Sequence, residues 1–188
     1  MKKNEMKLKE KGYTETHKTM SMAKANIFAL LVSGPIAIIC YILYFYKWGI
    51  EIDVVKNDIL IFSVSYILLI IVHEGLHGLT WAYSCKDKWK SIRFGFELKT
   101  LTPYCHCMEP LTKNQYILGA LTPLLITGII PYIVCVAIGN YLGMFTSVVM
   151  IVAAGGDLAM SLKIIRMNND TLILDHPTLC GCITYEKE

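Results

Sequence analysis

Residues Ile59–Ala82 read ILIFSVSYILLIIVHEGLHGLTWA. A spanning helix needs about 20 predominantly apolar residues, and this stretch supplies them. Its first part is apolar on every side, so it lacks the polar face of a surface helix in a soluble domain. The pattern is then interrupted by His73-Glu74-Gly75-Leu76-His77. On a helix, His73 and His77 lie one above the other on one face, with Glu74 beside them. A charged side chain at mid-span costs roughly 2.5–3.5 kcal/mol on insertion scales, so such groups in an apolar helix point to a functional site. The bland alternative is a hydrogen-bonded polar patch that glues two spans together.

Working outward, three further stretches qualify as spans: Asn26–Tyr46, Tyr116–Ile138 and Met144–Ile165. The chain has 188 residues, of which 54% are hydrophobic, and its mean hydropathy of +0.47 is too high for an ordinary soluble domain. The expected fold is an all-α integral membrane protein with about four transmembrane helices. Between the second and third spans, Ser91–Thr102 partly alternates, with Ile92, Phe94, Phe96, Leu98 and Leu101 apolar. That predicts a small cytoplasmic hairpin at the membrane surface. Gly34-Pro35, Pro123 and Pro131 predict bends, and Ala153-Ala154-Gly155-Gly156 permits close helix approach or local unwinding. Thr171–Leu174 suggests another short strand.

Charge sets the expected orientation. Lys2, Lys3, Lys7, Lys9, Lys11, Lys18 and Lys24 outnumber Glu5, Glu10 and Glu15 before the first span. The loop after the second span carries Lys86, Lys88, Lys90, Arg93, Lys99 and Lys113 against Asp87, Glu97 and Glu109, and the last span ends at Lys163 and Arg166. The first inter-helix loop sets Lys47 and Lys56 against Glu51, Asp53 and Asp58. The excess of lysine and arginine puts both termini and the middle loop in the cytoplasm. The division is then a basic tail over 1–25, a membrane domain over 26–166 and a C-terminal tail over 167–188. The basic tail is too long and too charged for a signal-peptide n-region, so the first apolar run is expected to remain as a helix. Its positive excess reads as an anchor against anionic lipid and not as a nucleic-acid site, with a solvated charged tail of no further role as the alternative. Seven cysteines in largely reducing surroundings predict no disulfide framework.

Two imidazoles at this spacing suit zinc, and the carboxylate between them suits a base that takes a proton from water. A catalytic zinc site uses three protein ligands, so a third is required. Asp157 fits by depth. The second and fourth spans run in the same direction, and His73, His77 and Asp157 all lie about 9–15 Å before their span ends at 1.5 Å per residue. Glu97, Glu109, His106, Asp175 and His176 are the other candidates. Cys105-His106-Cys107 and Cys180-Gly181-Cys182 suggest either a separate thiolate site or two bystander pairs.

His73–His77 in an apolar span, Pro103-Tyr104-Cys105-His106-Cys107 in the loop, Pro123, Gly156-Asp157, and Asp175-His176-Pro177 with Gly181 resemble a zincin-type membrane metallopeptidase family of unknown function. The likeness runs over most of the chain from about Ile59. More distantly, the three-span core is similar to site-2 proteases, which cut within or near the membrane. That resemblance implies zinc held by His73, His77 and Asp157, with Glu74 as catalytic base. The aspartate here sits in Gly-Gly-Asp-Leu and not in the Asn-Pro-containing element typical of site-2 proteases. The expected activity is hydrolysis of a peptide bond in a membrane or membrane-proximal substrate in a bacterial cytoplasmic membrane. His106 is a candidate substrate or oxyanion contact. A non-catalytic membrane protein with a structural metal clamp or docking role, or an ion-transport protein, is the alternative class.

Overall fold

The computed structural model describes residues 8, 10, 12–50, 56–98 and 102–187. The expectations that fall on Lys2–Lys7, Lys9, Lys11, Glu51, Asp53, Lys99 and Leu101 lie outside these residues. Three helices are long and apolar enough to cross a membrane: α1 (Met22–Trp48), α2 (Asp58–Ser84) and α3 (Lys113–Ile138). A fourth candidate is a pair, α4 (Tyr141–Ala153) and α5 (Gly155–Ile164), bent by 44° at Ala154.

Local chemistry sets the helix ends. Ser21 caps α1 by accepting a hydrogen bond from the Lys24 amide. Thr112 and Gln115 form a reciprocal capping box at the start of α3. Gly139 ends α3 in the left-handed conformation at φ 75°, and Asn140 then caps α4 through the Gly143 amide at 2.7 Å. Inside α3, Pro123 is followed by a π-helical turn over Leu124–Ile129. The turn lies between Pro123 and Pro131, the two prolines of α3.

Small residues set the helix crossings. A side chain at Gly155 would meet Ser33 and the Ala29 carbonyl of α1, and one at Gly128 would meet Ile151 of α4. Beside a small cluster of Leu174, Ile183 and Tyr185 in the sheet, two larger cores result. One gathers Cys40, Tyr44, Leu124, Met144, Val148 and Ile151 between the helices. The other gathers Trp81, Cys85, Cys107, Leu111, Tyr116 and Ile173 at the end of the bundle where the strands lie.

The all-α expectation is corrected by two sheets. Strands β2 (Ile92–Glu97) and β3 (Thr102–Cys107) form an antiparallel hairpin within the predicted loop. A four-stranded sheet has the order β1 (Tyr13–Met20), β6 (Cys180–Lys187), β5 (Leu172–Asp175), β4 (Leu111–Thr112). Part of each expected tail is therefore ordered strand. β1 aligns along all of β6, from Tyr13↔Lys187 to Met20↔Cys180. The suggested strand near Thr171–Leu174 is β5. The hairpin does not stand apart from the helices either. Cys107 Sγ lies 3.3 Å from Cys85 Sγ just past the end of α2, whereas the Cys105 amide meets Glu74, eleven residues earlier on the helix. The hairpin therefore runs back alongside α2.

Candidate metal centre

His73 and His77 are among the few buried residues of α2, whose other faces are largely exposed and apolar. The bend at Ala154 starts α5 beside them, and Asp157 lies in its first turn. His73 Nε2 and His77 Nε2 are 3.2 Å apart, and Asp157 Oδ2 is 3.3 Å from the first and 3.4 Å from the second. Among the described residues these three form the one group of His, Cys, Asp or Glu that could hold a metal ion.

The donor set fits zinc. Bonds of about 2.0–2.1 Å in a tetrahedron put neighbouring ligand atoms about 3.3 Å apart, which is the spacing observed. The proton count agrees. His77 Nδ1 lies 2.9 Å from the Gly119 carbonyl and donates to it, so in the neutral ring Nε2 carries a lone pair. A neutral His73 brings at most one proton to the cluster, so one hydrogen cannot serve all three contacts. A cation placed among three lone pairs serves them together.

The support around His77 comes from two elements, α2 and α3. Its ring stacks on Trp81 at 5.0 Å, and Trp81 Nε1 donates to the Tyr116 carbonyl of α3 at 3.1 Å. Gly119 leaves room for that indole, because a Cβ there would overlap it. Holding Nδ1–H on a carbonyl fixes the tautomer that points Nε2 at the site. Sequence reading singled out neither Gly119 nor Trp81. A backbone acceptor leaves no residue-type signature, and a Trp four residues after His77 reads as ordinary core.

The hairpin closes the site from above. The Met108 amide donates to the Ser91 carbonyl at 2.8 Å, which makes Ser91 and Met108 a hydrogen-bonded pair. By alternation along the ladder, the main-chain groups of Pro103, Cys105 and Cys107 point away from β2. The Cys105 amide donates to the Glu74 carboxylate, and the Cys107 amide to Asp175 Oδ2 at 2.7 Å. Asp175 Oδ1 also accepts from the Tyr116 hydroxyl at 2.6 Å. Burial pushes the Asp175 carboxyl upward, and these two donors offset that only in part.

The structure thus brings His73, Glu74, His77 and Asp157 together, and His106 lines the same cavity of about 420 Å³. The His106 ring packs against Tyr104, with centroids 4.6 Å apart. Glu97 and Asp175 also line the cavity but lie outside the three-ligand group. His176 Nδ1 accepts from the Thr178 and Leu179 amides. Glu109 is occupied elsewhere, accepting from the Lys86 and Asp87 amides and from the Ser91 hydroxyl. Partial burial opposes its ionisation, but the Ser91 hydroxyl and the two amides outweigh that and hold it below the usual range. The Cys-x-Cys pairs form no metal group among the described residues. Cys105, Cys107 and Cys182 are buried core side chains, and burial pushes their thiols up.

Fold and site together define a mainly helical protein in which two buried histidines of an apolar helix meet an aspartate of another. The chain belongs to the family described as "Putative zincin peptidase", whose profile matches residues 66–172. The match includes His73, Glu74, His77, His106 and Asp157, and it ends before Asp175. No curated protein and no solved structure matches the chain.

Proposed function

We propose that the protein is a membrane-embedded zinc peptidase that hydrolyses a peptide bond of a membrane or membrane-proximal substrate. Its two termini, neighbours in one sheet, would face the cytoplasm of a bacterial cell. The observation that carries this reading is the convergence of His73, His77 and Asp157 at 3.2–3.4 Å, next to the Glu74 carboxylate. Membership of a zincin family and helices of membrane-spanning length support it.

His73, His77 and Asp157 are the zinc ligands in this reading. Zinc, when bound there, supplies Lewis acidity that lowers the pKa of water and polarises a peptide carbonyl. Glu74 accepts a proton from the attacking water and delivers it to the leaving amine nitrogen. His106, on the cavity wall, donates to the oxygen that becomes negative during attack. An extended substrate adds along the outward edge of β3, its amides donating to the Pro103 and Cys105 carbonyls. As it does so, the Cys105 amide passes from Glu74 to a substrate carbonyl, which frees the carboxylate to act as base.

Glu74→Gln tests this directly. Digestion of a peptide library by detergent-purified protein, read by mass spectrometry, is expected to fall about 10²–10⁴-fold while zinc is retained. Cleavage that survives the substitution would remove Glu74 from its role. A folded wild type that holds zinc and cleaves nothing would favour a structural metal clamp.

A further inference from the structure

The two faces of the β2–β3 hairpin differ in chemistry. Arg93↔His106, Gly95↔Tyr104 and Glu97↔Thr102 share one face, while Ile92↔Cys107, Phe94↔Cys105 and Phe96↔Pro103 share the other. Glu97 and the β3 residues Thr102–His106 line the metal-site cavity, so Pro103 and Cys105 of the second face border it too, whereas Phe94 and Phe96 do not. On the second face, Ile92 and Phe94 lean on α2 where Gly78 leaves space. Phe94, Phe96 and the following Leu98 nevertheless remain 54%, 52% and 77% exposed.

Depth says what covers them. α2 has 27 residues, about 40 Å of helix against a hydrocarbon layer of about 30 Å, so a centred helix overhangs by about 5 Å at each end. Glu74 lies about 15 Å along the axis from Ser84, hence about 10 Å inside the hydrocarbon boundary. The Cys105 amide reaches Glu74, and the Phe96↔Pro103 pair lies one step further along the same descending strands. At that level α2 itself presents Ile71 and Val72 outward. The apolar face of the hairpin thus continues the exposed apolar surface of the spans. Non-helical backbone at such depth is tolerated where it is buried in protein or lines a water-filled cavity, and β3 lines the cavity over Thr102–His106.

We propose that Phe94, Phe96 and Leu98 form a lipid-contacting surface at hydrocarbon depth, so that the hairpin is the wall between the bilayer and the metal-site cavity. This rests on the membrane reading above but not on peptidase activity. The test places the photo-crosslinker benzoyl-phenylalanine singly in place of Phe96, Ile67 or Lys86 in full-length protein. The variants are reconstituted in phosphatidylcholine nanodiscs, irradiated and weighed intact. Ile67 is an outward residue of α2, and Lys86 lies in the turn after it. The expected result is an added mass of one lipid at positions 96 and 67 and none at 86. Adducts at 67 but not 96, or equal adducts at 86 and 96, would overturn the proposal while leaving α2 in the membrane. No adduct at either 67 or 96 would overturn both.

Discussion

His77 is held from two directions. The Gly119 carbonyl takes its Nδ1 proton, and the Trp81 indole lies flat against the ring. The second contact depends on position 119 having no side chain, because a Cβ there would overlap the indole. Gly119→Ala is therefore expected to push the indole off His77, costing about 1–3 kcal/mol in stability as an overpacking change. Loss of the outer support should also weaken zinc binding about 10–100-fold, measured by competition with a chelating dye. Gly75 is the control, since a Cβ there meets nothing within 4 Å, and Gly75→Ala should leave zinc affinity unchanged. The His-Glu-x-x-His spacing was legible in the sequence because a helical period of 3.6 fixes which side chains share a face. The bracing of His77 was not, because it is made by a main-chain carbonyl 42 residues away.

At the scale of elements, the bend between α4 and α5 is what delivers Asp157. The 44° break lets α5 lean on α1 through Gly155, with Ser33 Oγ and the Ala29 carbonyl close enough to exclude a larger residue. Gly155→Val is expected to force α5 from α1, to lower zinc content and to reduce the thermal midpoint in detergent. Gly156→Ala, where a Cβ meets nothing within 4 Å, should do neither. Sequence reading anticipated unwinding or close approach from the run of small residues at 153–156, and equal depth singled out Asp157. It expected a hairpin over Ser91–Thr102 from alternation, and the structure has the strand Ile92–Glu97 there. Alternation says nothing about which way a strand runs along its neighbour. The Cys85–Cys107 and Glu74–Cys105 contacts supply that direction.

Across the whole molecule, the first strand, Tyr13–Met20, pairs with the last, Cys180–Lys187. Tyr13–Met20 has hardly any apolar alternation, so it reads as tail, and it becomes a strand because Cys180–Lys187 offers a matched partner at long range. Such pairing is decided by tertiary contact and not by local pattern. The long apolar helices were legible because apolar runs of that length need no partner to declare themselves. The sheet matters to the site through Asp175, at the end of β5, which holds β3 by the Cys107 amide and α3 by the Tyr116 hydroxyl. The termini, the hairpin and three helices thereby converge on one cluster of ligand atoms.

Whether that cluster holds zinc is the central claim, and metal content tests it most directly. Zinc per chain would be measured by mass spectrometry of metals in detergent-purified wild type, His73→Ala and Asp157→Ala, with circular dichroism showing that each remains folded. The account predicts close to one zinc in the wild type and a sharp loss in both variants. A folded wild type without zinc, or full zinc in Asp157→Ala, would contradict it.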